Sequence, residues 1–304
     1  MKTNRRNFIK SSSILLAAVL YPGKDIFSAV KLIDPAGIRN ISSNIGIYTE
    51  KGGTIGWYAN DDAVIVIDAQ FPDSAEHFYD ELKTKTSKKI DILFNTHHHG
   101  DHTAGNYYLG KFANKIVAQE NCPKLQRKFY GTGERAAQQV YAGTTFRDNW
   151  EVDLGKEKIK AYHFGPAHTL GDAIYHFQNA NVVHMGDVVF NRTYPYMDRP
   201  AGATAKGAIT YLEKSIKLFD KDSKFIYGHA SKDELVTGSI DDLKLMRDYF
   251  SALLDFVGGE IKKGKSPDEI LKAESVPGFE NLTERWEGAK NMNLKAAYEE
   301  LNNS

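Results

Sequence analysis

Cysteine is nearly absent from this chain of 304 residues, because Cys122 is the only one. A single cysteine excludes a disulfide framework and a zinc site built from several thiolates. Charge of one sign is not in excess either, since 39 lysines and arginines balance 39 aspartates and glutamates. Nucleic-acid binders usually carry a basic surplus, so a nucleic-acid partner is not expected. The 41% of apolar and 12% of aromatic residues exclude disorder for most of the chain.

The sequence also lacks an apolar run long enough to span a bilayer. Its N-terminal run, residues 14–20, is much shorter than the ~20 residues of a membrane helix. The run follows a basic stretch that contains Arg5 and Arg6, an order typical of a bacterial twin-arginine export signal. An ordinary secretory signal with a chance arginine pair is the alternative.

Residues 1–29 are therefore predicted to be a signal peptide. The cleavage site is expected near Ala29, although Phe27 does not match the small residue usually found there. The mature protein is expected in the periplasm or outside the cell, without stable membrane insertion.

Residues 30–304 are predicted to form a single domain with additional helices at the C-terminal end. From residue 44 onward, short β-rich segments alternate with amphipathic helical segments. This alternation is typical of an α/β domain. For the segment 131–150 two interpretations are open, a flap over a groove or a helix packed on the core.

Four of the ten histidines lie in the segment 96–102, which reads Thr-His-His-His-Gly-Asp-His. The segment follows a predicted buried strand, and a strand end holds side chains on a rigid base. His97 and His99 are two residues apart and can point the same way. Imidazole and carboxylate suit Zn²⁺, Fe or Mn²⁺, and the lack of thiolates argues against a closed structural zinc site.

This segment resembles the metal-binding signature of the metallo-β-lactamase superfamily, His-x-His-x-Asp-His. Three later segments are similar to further family motifs in the same order, and they contain His168, Asp187 and His229. The resemblance covers roughly residues 40–235. It implies an α/β fold of the αββα sandwich type, with the metals in a groove at one edge of two sheets.

The resemblance also implies two metal sites. The first metal would be bound by His97, His99 and His168. The second would be bound by Asp101, His102 and His229, and Asp187 would bridge the two metals. Two Zn²⁺ ions are the expected cofactors, with one or two Fe or Mn ions as the alternative. Metal coordination lowers the pKa of water, so a metal-bridging hydroxide would attack an acyl bond at neutral pH.

Two acidic residues are given further roles. Asp101 is the candidate catalytic residue, because a carboxylate beside the hydroxide can orient it and later carry a proton. Asp68 follows the predicted strand that ends at Ile67 and matches an acidic position of the family. It would orient a metal ligand through a hydrogen bond.

Candidate substrate contacts lie in the stretch 191–202, which follows Asp187 closely and should therefore lie near the metals. Arg192, Tyr194 and Tyr196 are the candidates, and anchoring of the loop is the alternative role. The expected partner is a small-molecule substrate. These patterns do not determine the oligomeric state.

Departures from particular subfamilies narrow the expected activity. Asp187 and Phe190 stand where the commonest β-lactamases of the superfamily have a cysteine ligand and a substrate-binding lysine, which argues against that subclass. The bridging aspartate and the histidine run look more like glyoxalase II, a thioester hydrolase. The predicted function is that of an exported, dinuclear, zinc-dependent hydrolase that opens an ester, lactone, β-lactam or thioester.

Two alternative functions are not hydrolytic. Persulfide dioxygenases resemble glyoxalase II but bind a single iron and oxidise a sulfur substrate, and their ligands would map onto His97, His168 and Asp187. A non-catalytic metal-binding protein on the same fold is the other alternative.

Replacement of both Arg5 and Arg6 by lysine tests the predicted export route, because the receptor reads the arginine pair. We expect this variant to remain in the cytoplasm as an uncleaved precursor, as measured by cell fractionation and immunoblotting. Replacement of Lys2 and Lys10 by arginine leaves the pair intact and serves as the control that is exported. Normal export of the first variant would refute the twin-arginine interpretation.

Overall fold

Two β-sheets face each other in the computed structural model, which describes residues 37–302. The predicted signal peptide, residues 1–29, lies outside this range and stays a prediction. The described residues belong to one compact unit. Among them, no helix has both the length and the apolar character needed to cross a membrane.

The first sheet contains seven strands in chain order: β1 (Gly37–Asn40), β2 (Ile45–Thr49), β3 (Ile55–Ala59), β4 (Val64–Ile67), β5 (Ile92–Asn95), β6 (Ile116–Gln119) and β7 (Thr144–Phe146). Strands β1 to β4 pair antiparallel, whereas β4 to β7 pair parallel. All four residues of β4 are buried. This continuous burial shows that both faces of the sheet are covered.

The second sheet contains six strands: β8 (Asn149–Asp153), β9 (Lys158–Tyr162), β10 (Ile174–Phe177), β11 (Val182–His184), β13 (Lys224–Ile226) and β15 (Thr237–Gly238). Their order across the sheet is β15, β13, β11, β10, β9 and β8. Only β11 and β13 run parallel among these described strands. Two short strands, β12 (Phe190–Asn191) and β14 (His229–Ala230), form a separate parallel pair.

Eight α-helices occur between residues 37 and 302: α1 (Pro72–Lys85), α2 (Gly100–Thr103), α3 (Asn106–Leu109), α4 (Asn121–Tyr130), α5 (Ala205–Leu218), α6 (Ile240–Lys262), α7 (Pro267–Ile270) and α8 (Ala289–Asn302). Helix α1 packs on the outer face of the first sheet through Phe78 and Leu82. Helices α5, α6 and α8 cover the outer face of the second sheet, with Tyr211, Leu243 and Leu294 buried there.

The core between the sheets contains side chains of both sheets, among them Ile65, Ile67, Tyr175 and Phe177. Alternate residues of β4 face opposite sides, so its two valines pack toward the helices instead. The layers are therefore helix, sheet, sheet and helix, and the predicted αββα sandwich is confirmed.

The segment 131–150 does not form the helix considered for it from sequence. It contributes β7, which pairs with β6 at the edge of the first sheet, and it then enters β8 of the second sheet. Phe146 is buried between the sheets, and Trp150 packs edge-on against Phe94. The run Thr144–Phe146 consists of β-branched and aromatic residues, which favour an extended backbone.

Four strand ends meet at one edge of the sandwich. Parallel strands β4 and β5 lead into Asp68 and the segment 96–102. Parallel strands β11 and β13 lead toward Asp187 and His229. Because parallel strands end on the same side of a sheet, each pair delivers its polar residues to one place.

Hydrogen bonds join the C-terminal part of the chain to the stretch 191–202 at this edge. Thr193 Oγ1 donates a hydrogen bond to the carbonyl of Thr283 at 2.6 Å. Asn293 of α8 donates to the carbonyl of Pro195 at 2.8 Å. The connection between α7 and α8 is therefore held next to the strand ends.

Candidate metal centre

Three histidines from two loops meet at the edge of the sandwich. The Nε2 atom of His97 lies 3.0 Å from Nδ1 of His99, and Nε2 of His168 lies 2.9 Å from the same Nδ1. We call His97, His99 and His168 the three-histidine group. His97 and His168 are buried, and only 13% of the His99 side chain is exposed.

A second set of side chains lies beside the first. Nε2 of His229 is 3.0 Å from Oδ2 of Asp101, and Nε2 of His102 is 3.6 Å from that oxygen. We call Asp101, His102 and His229 the mixed group. Asp101 and His102 lie in the short helix α2, and His229 begins β14.

Asp187 lies between the two groups. Its Oδ2 atom is 3.8 Å from His97 Nε2 and 3.5 Å from His168 Nε2. The same oxygen is 3.4 Å from His229 Nε2, and Oδ1 is 3.2 Å from His102 Nε2. The structure thus brings together all seven side chains predicted as ligands, with the predicted bridging residue in the middle.

The outward-facing nitrogens of the histidines are occupied by hydrogen bonds. His168 donates through Nδ1 to the carbonyl of Tyr196 at 2.8 Å. His102 donates through Nδ1 to Oδ2 of Asp68 at 2.7 Å. Since a carbonyl or a carboxylate can only accept, the proton of each ring in its neutral form lies on Nδ1, and Nε2 is directed into the cluster as a potential metal ligand.

Asp68 also orients His97, through Thr96. The Thr96 hydroxyl donates to Asp68 Oδ2 at 2.7 Å and lies 3.0 Å from Nδ1 of His97. Because the hydroxyl proton is used by Asp68, the His97 ring donates to the hydroxyl oxygen. Asp68 itself is fully buried and adopts a left-handed backbone with φ of 64°. The role suggested for it from sequence agrees with these contacts.

His99 is oriented by a residue that the sequence did not point to. Its Nε2 atom lies 2.8 Å from Oδ2 of Asp198, so Nδ1 is left to face the other histidines. Asp198 also accepts a hydrogen bond from the amide of Ala201 at 3.2 Å through Oδ1. Nothing in the spacing of the stretch 191–202 distinguishes this aspartate from a surface residue.

Two members of the three-histidine group, His97 and His168, are neutral near pH 7. Burial, followed by the charge on neighbouring histidines, lowers the pKa of His97 well below its usual range. Burial lowers the pKa of His168 to about 3. Neutral imidazole is the form that binds a metal, so protons do not have to leave these rings first.

Positive charge is attracted instead to the mixed group. Burial acts to lower the pKa of His102, but Asp187, Asp101 and Asp68 together raise it well above its usual range. Burial acts to raise the pKa of Asp187, but His229 and His102 lower it below its usual range. The lowered pKa values of Asp187 and Asp101 mean that both carboxylates are ionised and stabilise a cation between them.

The residues fit a divalent metal. The buried atoms His102 Nε2 and Asp187 Oδ1 have no hydrogen-bond partner among residues 37–302 although they lie 3.2 Å apart. Buried polar atoms are rarely left unsatisfied, and a cation between them would satisfy both. Nitrogen and oxygen donors without thiolates suit Zn²⁺, Fe or Mn²⁺.

A cavity of about 310 Å³ opens over the cluster. Asp101, Asp187, His99 and His229 form its floor. Its walls consist of Tyr130, Phe190, Tyr196, Arg285 and Trp286. This volume is at the lower end of the range for small-molecule sites.

Of the three predicted substrate contacts, only Tyr196 lines this cavity. Tyr194 is 3% exposed and packs in the helical core beside Tyr249, at 5.9 Å between ring centroids. Arg192 forms an ion pair with Asp242 at 3.2 Å and lines none of the cavity. For these two residues the structure agrees with the alternative role of anchoring the loop.

Three wall residues were missed from sequence. Tyr130 is the last residue of α4, and Arg285 and Trp286 lie in the connection between α7 and α8. No motif marks these positions, and Arg285 and Trp286 reach the cavity only through the packing of the C-terminal segment.

Two known proteins are similar to parts of this chain. A hydroxyacylglutathione hydrolase of Brucella anthropi is 30% identical over 102 residues, which are 33% of this chain and 34% of that protein. A probable metallo-hydrolase of Methanocaldococcus jannaschii is 24% identical over 168 residues, which are 52% of this chain and 75% of that protein. The chain thus spans about a third of the length of the hydroxyacylglutathione hydrolase it matches.

Solved structures share the fold at low sequence identity. A metallo-β-lactamase from Pontibacter korlensis has a TM-score of 0.61 at 15% identity and covers 71% of this chain and 99% of its own. A sec-alkylsulfatase from Pseudomonas sp. has a TM-score of 0.66 at 15% identity and covers 87% of this chain and 50% of its own. The family model of the metallo-β-lactamase superfamily matches residues 48–229, more than half of the chain. The chain therefore belongs to the metallo-β-lactamase superfamily.

Proposed function

We propose that this protein is an exported, metal-dependent hydrolase that opens an acyl bond of a small molecule. The bond is an ester, a lactone, a β-lactam or a thioester. The three-histidine group would bind one divalent cation and the mixed group a second, with Asp187 facing both groups. Zinc is the expected metal. Matched relatives named hydroxyacylglutathione hydrolase support an acyl substrate. The sequence of residues 1–29 supports export.

One observation carries the proposal: two complete ligand groups share one carboxylate. His97, His99 and His168 converge on one point, Asp101, His102 and His229 lie beside it, and Asp187 faces both. When bound, two such cations lower the pKa of water and polarise the carbonyl of an acyl group.

A residue of the chain itself, Asp101, would position the attacking water and take up its proton. Asp101 forms part of the cavity floor, and 27% of its side chain is exposed. Burial acts to raise its pKa, but His102 and His229 lower it below its usual range. An ionised carboxylate at the floor accepts a hydrogen bond from the attacking water and can receive its proton.

A single-iron dioxygenase is the second candidate, because His97, His168 and Asp187 would suffice for its metal. The mixed group argues against it. Asp101, His102 and His229 would then lie beside the iron without a ligand role, although all three face inward. A non-catalytic protein would not require Asp101 to face an open cavity.

Metal content and turnover together test the proposal. We expect elemental mass spectrometry of the purified mature protein to find two zinc ions per chain. We also expect the zinc-loaded protein to hydrolyse at least one class in a panel of esters, lactones, β-lactams and thioesters. One iron per chain and oxygen consumption with a sulfur substrate would support the dioxygenase instead. No metal after reconstitution would contradict the ligand assignment.

Replacement of Asp101 by asparagine tests its catalytic role. The amide has the same shape but cannot take up a proton, so we expect kcat to fall at least about 100-fold, the lower end of general acid–base contributions. The matched control is Asp248→Asn, because Asp248 is an exposed side chain of α6 that pairs with Arg247. Measured zinc content separates a lost proton acceptor from a lost ligand. An unchanged kcat would remove Asp101 from the mechanism.

Replacement of Asp198 by asparagine tests the orientation of His99. The amide can still accept from Ala201, but it presents an N–H group to His99 Nε2 and so favours the ring with its proton on Nδ1. Because outer hydrogen-bond partners typically contribute 10- to 100-fold to metal affinity, we expect zinc to bind about 10-fold or more weakly, as measured by chelator competition. Asp248→Asn is again the control. Equal affinity in both variants would show that Asp198 does not act on the metal site.

A further inference from the structure

The cavity over the metal ligands has an aromatic end beside the three-histidine group. The ring of Tyr196 lies 5.5 Å from the ring of His99, and Trp286 packs edge-on against Tyr196 at 5.8 Å. Tyr196 is 37% exposed although its ring contacts Trp286. This end of the cavity presents flat apolar surface to a ligand.

The other end carries a positive charge. Arg285 donates through Nη1 to the carbonyl of Ala230, the residue that follows His229 of the mixed group. The side chain is exposed, and no carboxylate within residues 37–302 forms an ion pair with it. A guanidinium has five N–H donors, so most of them remain for a ligand in the cavity.

We infer that Arg285 recognises a carboxylate on the substrate, while an apolar portion of the same molecule packs against Tyr196 and Trp286. The inference rests on the proposed acyl hydrolysis and names its substrate class: acyl compounds that also carry a carboxylate. The planar guanidinium matches the two oxygens of a carboxylate, which makes such contacts both strong and directional. The reacting bond lies between the two ends, above Asp101 and Asp187.

A purely structural role for Arg285 has to be separated from this one, because its bond to Ala230 also fastens the C-terminal segment. Arg285→Gln retains an N–H donor for that carbonyl and removes the charge. Arg285→Lys retains the positive charge but lacks the planar guanidinium group. Arg192→Gln is the matched control, since Arg192 pairs with Asp242 and lines none of the cavity.

The experiment compares two 4-nitrophenyl esters with the zinc-loaded enzyme, after subtraction of the rate without enzyme. In 4-nitrophenyl hydrogen glutarate the far carboxyl group is free and charged, and in 4-nitrophenyl methyl glutarate it is methylated and uncharged. Because hydrogen bonds to charged groups contribute ~1.5–3 kcal/mol, we expect kcat/KM to favour the charged ester by about 10-fold or more. Arg285→Gln should lose this preference and Arg285→Lys should keep part of it. The Arg192→Gln control should behave as the wild type does. Folding of each variant is checked by circular dichroism and zinc content.

Binding of glutarate, measured by isothermal titration calorimetry, makes the result independent of turnover. We expect Arg285→Gln to bind glutarate about 10-fold or more weakly than the wild type does, by the same reasoning. If neither ester is hydrolysed, the acyl-hydrolase proposal fails for these substrates, yet weaker glutarate binding in the variant still supports Arg285. Equal hydrolysis of the two esters by the wild type, or equal glutarate binding by wild type and Arg285→Gln, overturns the inference.

Discussion

The buried carboxylate of Asp187 connects both halves of the site, because it faces histidine nitrogens contributed by both sheets. A buried charge of this kind is stable only where counter-charges and hydrogen-bond donors surround it. The backbone must also come very close to it. A Cβ atom at Gly228 would lie 1.9 Å from Asp187 Oδ1, so only glycine fits between the ends of β11 and β13. The ends of β11 and β13 can therefore approach each other only with glycine at position 228, and this close approach leaves room for the Asp187 carboxylate.

The side chains around the cluster determine which nitrogen of each ring faces inward. Asp68 does this for His102 directly and for His97 through Thr96, and Asp198 does it for His99. The Tyr196 carbonyl does it for His168. These partners are themselves part of strand ends and loops packed on the sandwich. The fold therefore directs the lone pairs of the inward-facing histidine nitrogens into the cluster without a bound metal. Such preorganisation distinguishes a metal-binding site from a chance cluster of histidines.

The sequence was sufficient to predict the αββα sandwich and the convergence of the seven candidate ligands, because short motifs at strand ends carry both kinds of information. It was not sufficient for the surroundings of those ligands. The run Thr144–Phe146 was not recognised as a strand, since three residues are too few to show a period. Asp198, Arg285 and Trp286 lie in irregular segments, where position depends on long-range contacts such as the bond from Thr193 to Thr283. For the same reason, Arg192 and Tyr194 were close to the metals along the chain but lie away from the cavity in space.

Part of the wall that faces the metal ligands comes from a different stretch of the chain than the ligands themselves. All seven candidate ligands lie between His97 and His229, whereas Arg285 and Trp286 lie beyond the segment matched by the family model. A gene encoding this arrangement can accumulate changes in its last part without touching the residues that surround Asp187. Divergence among relatives can therefore proceed by exchange of the C-terminal wall, while the histidines at the sheet edge stay the same.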